Sequence, residues 1–69
     1  MNKNILRSKM ALRGDRYAAL ADAIGISQQR LSAKINEKNG AEFRLREIKM
    51  IKNRYNLSTS EVESIFFAS

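Results

Sequence analysis

The sequence predicts an all-α fold, a compact bundle of five helices in one domain that covers residues 1–69. The chain has no proline and only three glycines, Gly14, Gly25 and Gly40. Because both residue types disfavour helix interiors, this composition favours helices that are separated at three points. Leu, Ile, Val and Phe account for 17 of the 69 residues, above the roughly 20% below which a charged chain tends to stay disordered. The chain can therefore bury a small core.

The first two helices are predicted from apolar spacing and from the glycines that end them. Residues 3–13 form the first helix, whose apolar positions share one face: Ile5, Leu6 and Met10. Gly14 offers the left-handed conformation that ends a helix. Asp15 is the expected N-cap of the second helix, residues 16–24, because its short carboxylate can accept from first-turn N–H groups. The inner face of the second helix holds three apolar residues: Leu20, Ala21 and Ile24.

A third helix, residues 27–37, follows after a very short connection. Gly25 ends the second helix, Ile26 is an apolar residue in the turn, and Ser27 is the expected N-cap. The inner face of the third helix is marked by two apolar residues at a spacing of four: Leu31 and Ile35. The helix is expected to stop by Lys38.

The dipeptide Asn39-Gly40 admits two interpretations. Asn-Gly is the favoured two-residue hairpin turn, and Ala41, Phe43 and Leu45 alternate as a strand would. The residues before it, 36–38, are polar and poor strand formers. We therefore prefer a helix–loop–helix connection in which Phe43 fills the core.

Two further helices are predicted after this loop. The fourth, residues 44–55, has apolar residues at spacings of three, three and four: Leu45, Ile48, Ile51 and Tyr55. Ser58 or Ser60 caps the fifth, with a glutamate three residues later that completes a capping box. Its inward side chains are Val62, Ile65 and Phe66. Phe67 is expected at a partly exposed edge, either as a homodimer contact or as a helix end folded over a small core.

The charge balance indicates a polyanionic partner. The chain has 13 Lys and Arg against 7 Asp and Glu, a formal net charge of +6. Residues 27–54 carry eight basic and three acidic side chains, whereas residues 55–69 carry only two acidic ones. The basic surface is therefore expected in the middle of the chain.

The composition also excludes several function classes. Without His or Cys, zinc fingers, disulfides, Ser-His triads and Cys-His dyads are excluded. No acidic pair has a spacing useful for catalysis, so we expect no enzyme, metal or cofactor. The longest apolar run, residues 17–21, is far shorter than the ~20 residues that cross a membrane. With a polar start and no apolar signal region, the expected location is the cytoplasm.

The segment from residue 17 to residue 35 has the pattern of a helix-turn-helix. Ala21 is the small residue needed where two helices cross closely, and Gly25 tolerates the positive φ of the turn. The outer face of the second of these helices carries no acid and several hydrogen-bond donors, as a recognition helix should. Its residues are Gln28, Gln29, Arg30, Ser32, Ala33 and Lys34.

The signature part of this pattern is Leu20-Ala21-x-x-Ile24-Gly25-Ile26-Ser27-Gln28. With it, the chain resembles the Cro/C1-type (XRE-like) helix-turn-helix family, over about residues 5–67. The later segments that resemble its small single-domain phage repressors are 31–36, 42–43, 47–48 and 55–58. The resemblance implies a lambda-repressor-like DNA-binding domain. It also implies a phage- or prophage-type transcriptional repressor, bound as a homodimer to an inverted-repeat operator in the nucleoid of a bacterial cell.

Two departures from the family pattern introduce cations. Arg16 and Tyr17 stand where the family usually starts its second helix with Ser or Thr followed by Gln, and that Gln normally contacts a phosphate. Arg44 and Arg46 stand where Ser or Thr usually opens the fourth helix. A cation is unfavourable at a helix N-terminus unless an anion lies in front of it. The exchange therefore favours an edge that faces phosphate.

These considerations predict two sets of DNA-contacting residues. The expected base contacts are made by Gln28, Gln29, Ser32 and Ala33, with adenine as the favoured glutamine partner and a thymine methyl as the partner of Ala33. The expected phosphate contacts are made by Arg16, Tyr17, Ser27, Arg30, Lys34, Asn36, Lys38, Asn39, Arg44 and Arg46. The basic residues of the first helix are expected to form a solvated face, and Lys49, Lys52 and Arg54 to point away from DNA.

For each predicted contact residue, the alternative interpretation is a solvated side chain with no role in binding. For Tyr17, the alternative is a side chain that packs against the protein. At the level of the whole chain, the alternative is a protein-interaction module, such as an antitoxin or a phage inhibitor built on the same fold. Such a module would be expected to show an acidic or apolar outer face on its third helix. That face is neither acidic nor apolar in this sequence.

Overall fold

Five α-helices account for most of residues 1–67, the part of the chain that the computed structural model describes. They are α1 (Lys3–Arg13), α2 (Tyr17–Ile24), α3 (Gln28–Ile35), α4 (Leu45–Tyr55) and α5 (Thr59–Val62), which continues as a π-helical segment, Glu63–Phe67. A 3-10 turn, Lys38–Gly40, lies between α3 and α4. Within residues 1–67 there is no strand, so the helix–loop–helix prediction for Asn39-Gly40 is confirmed over the hairpin.

The core is built from one face of each long helix and from the C-terminal segment. Leu6 of α1, Leu20 of α2, Leu31 of α3, Ile51 of α4 and Ile65 have no exposed surface. Burial of each such side chain contributes about 1.5–3 kcal/mol relative to its exposure. The predicted inner faces of the first three helices and of the C-terminal segment are therefore confirmed.

Of two apolar residues near the start of α4 that were predicted to face inward, one is exposed and the other packs against the core. Leu45 was predicted on the inner face, but 64% of it is exposed. The buried stripe of α4 is centred on Glu47, Ile48 and Ile51, so Leu45 lies about a third of a turn away from it. Phe43 packs against the core as predicted.

Phe43 and Phe66 close the core at one end. Their ring centroids lie 5.4 Å apart at an interplanar angle of 77°, an edge-to-face contact that adds about 0.5–1.5 kcal/mol beyond area burial. Val62 and Phe66 are partly buried against the core, as expected. Phe67, the next residue, is 63% exposed, which agrees with its predicted place at an edge.

Gly14 and Gly25 end α1 and α2 in the left-handed conformation, with φ of +78° and +75°. After α2, the N–H of Gly25 donates to Asp22 O at 3.3 Å and the N–H of Ile26 donates to Ala21 O at 3.0 Å. These bonds satisfy carbonyl groups that the helix end leaves open. They also turn the chain within three residues, which brings α3 directly onto α2.

The predicted serine caps are confirmed. Ser27 Oγ accepts the N–H of Arg30 at 3.1 Å. Of the two candidate caps of α5, the chain uses Ser58, whose Oγ accepts the N–H of Glu61 at 3.1 Å while Glu61 Oε1 accepts the N–H of Ser58 at 2.9 Å. This reciprocal pair is the expected capping box.

The prediction that Asp15 caps α2 is wrong. The N-cap residue of α2 is Arg16, whose side chain makes no capping hydrogen bond. The Asp15 carboxylate is turned away from α2 and accepts from Arg54 and Tyr55 at the end of α4. Hydrogen bonds to a charged partner contribute about 1.5–3 kcal/mol, more than the typical ~1 kcal/mol of one cap.

No helix within residues 1–67 is both long enough and apolar enough to cross a lipid bilayer.

Candidate nucleic-acid interface

The short connection between α2 and α3 decides which face of α3 meets solvent. Leu31 and Ile35 of α3 are buried, as are Leu20, Ala21 and Ile24 of α2, the residues expected to line the crossing. Ile26, in the turn, is partly buried against the same core. The first turn of α3 and one side of its second turn are left on the surface.

A shallow groove on this surface brings together seven predicted contact residues. They are Tyr17 from α2, Gln28, Gln29, Ser32 and Ala33 from α3, and Lys38 and Asn39 from the turn after α3. All four predicted base-contacting residues are in this set. The two glutamines are exposed, whereas Ser32 and Ala33 are half-buried. The groove therefore presents two exposed carboxamides together with a half-buried hydroxyl and a half-buried methyl group.

Tyr17 is held at one end of this groove by α1. The guanidinium of Arg7 donates to Tyr17 Oη from Nε at 3.2 Å and from Nη2 at 3.1 Å. A phenol oxygen can accept hydrogen bonds, and its hydrogen can donate one. Because both Arg7 bonds go to the oxygen, the Tyr17 hydroxyl hydrogen is left to donate to another group.

Arg7 is a residue whose role the sequence analysis missed. It was assigned to a solvated face, and it is indeed exposed, but it also fixes a predicted contact residue. The available signal was that Arg7 lies one turn after Lys3 on α1, and that Tyr17 carries a long side chain with a terminal hydroxyl. Neither observation specifies that the two side chains meet.

The placement of Lys34 on the outer face of α3 is wrong. Only 6% of Lys34 is exposed, and its Nζ donates to Glu47 Oε1 at 2.6 Å and to Glu47 Oε2 at 2.8 Å. Lys34 is three residues after Leu31 and therefore lies next to it on the inward side of α3. The ammonium is occupied inside the molecule, so Lys34 is removed from the set of phosphate contacts.

Glu47 is the second residue that the sequence analysis missed as part of this region. It is 3% exposed, and its Oε1 also accepts the backbone N–H of Arg44 at 2.8 Å. Burial alone raises the pKa of the Glu47 carboxyl, but the hydrogen bonds from Lys34 and from the Arg44 backbone outweigh it. The net result is a pKa below the ordinary value, so the carboxylate is charged at neutral pH.

The remaining predicted phosphate contacts divide into two groups. The side chains of four arginines are exposed around the α3 surface or at helix starts: Arg16, Arg30, Arg44 and Arg46. Asn36 is exposed but engaged, since it accepts from Lys3 Nζ at 3.2 Å and donates to Ser32 O at 3.0 Å. Ser27 is likewise engaged as the cap of α3, so any phosphate contact from it depends on exposed backbone N–H groups.

Arg54 does not behave as a simple solvated cation. Its Nε and Nη2 donate to the two Asp15 oxygens at 2.8 and 3.0 Å, and Arg13 Nη1 donates to the Arg54 carbonyl oxygen at 2.8 Å. Arg54 is not among the residues that line the groove, and its hydrogen bonds tie α4 to the α1–α2 connection.

The groove presents amide, hydroxyl and methyl groups, and exposed cations lie on the same protein surface. Such a surface can bond to base edges and neutralise phosphates. Within residues 1–67, no three His, Cys, Asp or Glu side chains are grouped as a metal site would require. The chain was also compared with protein families, curated proteins and solved structures, and none of them matches it.

Proposed function

We propose that this chain is a sequence-specific DNA-binding transcriptional regulator, in which α2 and α3 form a helix-turn-helix. The observation that carries the proposal is the groove that joins Gln28, Gln29, Ser32 and Ala33 with Lys38, Asn39 and Tyr17. An α-helix fits the major groove of B-form DNA, where each base pair shows a distinct pattern of donors and acceptors. The amides of α3 would read that pattern.

The readers on α3 favour adenine and thymine over guanine. Glutamine pairs best with the N6 and N7 edge of adenine, and an alanine methyl packs on a thymine methyl, whereas guanine is read mainly by Arg or Lys. Lys34 is buried in an ion pair and is unable to serve as such a reader. We therefore expect adenines and thymines opposite Gln28, Gln29 and Ala33.

The exposed cations supply the phosphate contacts in this proposal. Five of them remain from the predicted set after Lys34 is removed: Arg16, Arg30, Lys38, Arg44 and Arg46. Five neutralised phosphates give a slope of about −4 to −5 in a plot of log K against log salt, per bound copy. Two copies on an inverted repeat would place their α3 helices in successive major grooves, ~34 Å apart. Repression of a phage or bacterial promoter in the cytoplasm is the biological role we propose.

The proposal is tested by selecting a preferred site from randomised duplex DNA and measuring binding to it and to a scrambled duplex. We expect Gln28→Ala and Gln29→Ala each to weaken binding to the selected site by ~1–3 kcal/mol while sparing the scrambled duplex. Asn53→Ala is the matched control, since it removes an exposed carboxamide of α4 and should change neither value. Equal affinity for every duplex would refute the proposal.

A further inference from the structure

The buried ion pair between α3 and α4 is unusual within this molecule. Of the ion pairs among residues 1–67, Lys34–Glu47 alone has both side chains less than a tenth exposed, at 8% and 4%. The next most buried pair, Arg54–Asp15, leaves a quarter of the arginine side chain in solvent. Both Glu47 oxygens are engaged by the same ammonium, so the pair is directionally fixed.

Stability alone is a poor explanation for this pair. Removing two charges from water costs about as much as their attraction returns, and apolar residues of similar volume are often as good or better. Part of the surroundings of Lys34 is already apolar, because Phe43, Ile48 and Phe66 line the same open pocket of about 220 Å³, together with Glu37 and Glu42. What the charged pair adds over an apolar contact is a fixed geometry between the two helices.

The same carboxylate controls the start of α4. Glu47 Oε1 accepts both Lys34 Nζ at 2.6 Å and the backbone N–H of Arg44 at 2.8 Å. Arg44 and Arg46, at this helix start, are exposed cations. The Glu47 side chain thus connects α3, which carries Gln28 and Gln29, to the first turn of α4, where the exposed arginines lie.

A small change in the tilt of α3 at Lys34 would move Gln28, at the start of the helix, by a large distance. Gln28 lies six residues before Lys34 on α3, about 9 Å along the helix axis. A tilt of about 10° at Lys34 would displace Gln28 by about 1.5 Å, given that rise per residue. Hydrogen bonds to base edges tolerate only a few tenths of an ångström, since they weaken outside about 2.7–3.2 Å.

We propose that Glu47 is a positioning residue, which through Lys34 and the Arg44 backbone sets the orientation of α3 and so aligns Gln28 and Gln29 for base recognition. The inference rests on the proposed function for its DNA readout. It concerns two residues that lie below the interface and that need touch no DNA. Their effect would appear in selectivity between sequences more than in overall affinity.

The test compares two double variants that remove equivalent groups. Lys34→Met/Glu47→Leu replaces the buried pair, and Lys9→Met/Glu61→Leu replaces the other lysine–glutamate pair that involves a helix-capping glutamate. In both pairs the glutamate also accepts an N–H at the start of its own helix. The measured quantity is the ratio of affinities for the selected and the scrambled duplex, with a thermal melt of each variant.

We expect Lys34→Met/Glu47→Leu to melt cooperatively and to lose about tenfold to a hundredfold in the affinity ratio, the cost of one misaligned base contact. Lys9→Met/Glu61→Leu should keep the ratio. Partial unfolding lowers the affinity for both duplexes alike and leaves their ratio unchanged. An unchanged ratio in folded Lys34→Met/Glu47→Leu, or an equal fall in the control, would overturn the inference.

Two further outcomes require an additional variant or an additional measurement. If Lys34→Met/Glu47→Leu does not fold, Lys34→Met/Glu47→Gln replaces it, because an amide oxygen still caps the Arg44 N–H and no unpaired ammonium is left buried. The same fall in ratio is expected. If the unaltered chain shows no preference among duplexes, the proposed function fails, and the amide NMR shifts of Gln28 and Gln29 decide the positioning. Shifts that change in Lys34→Met/Glu47→Leu and not in Lys9→Met/Glu61→Leu support the positioning role of Glu47, and unchanged shifts overturn it.

Discussion

Replacing Asp15 by asparagine tests the cluster that ties α4 to the connection between α1 and α2. The Asp15 side chain is 8% exposed. Its carboxylate accepts from Arg54 Nε at 2.8 Å, from Arg54 Nη2 at 3.0 Å and from Tyr55 Oη at 2.7 Å. The hydrogen bonds from Arg54 are the main reason why the pKa of Asp15 lies below its ordinary value; burial opposes them and Tyr55 adds to them.

The magnitude follows from the bonds that asparagine loses. A carboxamide offers one acceptor oxygen and turns an N–H₂ group toward the donors, so at least one charge-assisted bond and the ion pair are lost. Such bonds contribute about 1.5–3 kcal/mol each, and a broken, mostly buried pair leaves an uncompensated cation, so we expect a loss of about 2–4 kcal/mol. A chain of this length has a total stability of roughly 3–10 kcal/mol. The melting temperature should fall by roughly 10–30 °C.

The assay is thermal and urea unfolding followed by circular dichroism, with Asp22→Asn as the matched control. Asp22 is an exposed aspartate of α2, so its replacement should change stability by no more than about 0.5 kcal/mol. Similar losses in the two variants would contradict the role assigned to the Asp15 cluster.

The pH dependence gives a second, independent check on Asp15. Its folded pKa lies below the unfolded value of 3.8, so the unfolded chain binds more protons as the pH falls through that range. The stability that the charged carboxylate provides is present above about pH 5 and is lost as the pH falls through the folded pKa. The difference between the unaltered chain and Asp15→Asn should therefore shrink in acid, while Glu47 and Glu61 contribute equally to both. A difference that stays constant into strong acid would refute the reasoning.

The remaining predictions concern Tyr55 and the core. Burial, together with the Asp15 carboxylate, raises the pKa of Tyr55 to about 12; the unfolded phenol titrates near 10, so stability should fall as the pH rises between these values. In Tyr17→Phe, Tyr55 is the remaining tyrosine, and phenolate absorbance appearing near pH 10 in the folded state would contradict the assignment. Leu31→Ala should cost about 2–5 kcal/mol because Leu31 is fully buried. Leu12→Ala, at an 84% exposed leucine, should cost no more than about 0.5 kcal/mol, and equal urea midpoints for the two variants would show the core to be wrongly placed.

The helix boundaries were predictable because their signals are local. Left-handed glycines after α1 and α2, serine caps before α3 and α5, and apolar spacings of three and four act within a few residues of one another. The third helix is shorter than predicted, since it ends at Ile35 and not at residue 37. Glu37 there adopts a left-handed φ of +53°, and no glycine announces that turn.

The composition of the candidate interface was predictable to a similar degree. Gln28, Gln29, Ser32 and Ala33 are on the outward side of a helix whose inward residues are Leu31 and Ile35, and that geometry follows from 3.6 residues per turn. Lys34 lies at the border of the two faces. A periodic pattern gives its angle around α3, but whether such a border position is covered depends on the neighbouring helix.

The sequence by itself determined the all-helical class, the helix positions and most of the inner faces, because hydrogen bonding within a turn and apolar periodicity are short-range effects. Only the tertiary structure decided the roles of Asp15 and Lys34. Their partners stand far along the chain, Glu47 at a separation of 13 residues and Arg54 and Tyr55 at 39 and 40. A charged side chain takes the partner that packing brings within hydrogen-bond distance, and no local pattern specifies which helix that will be.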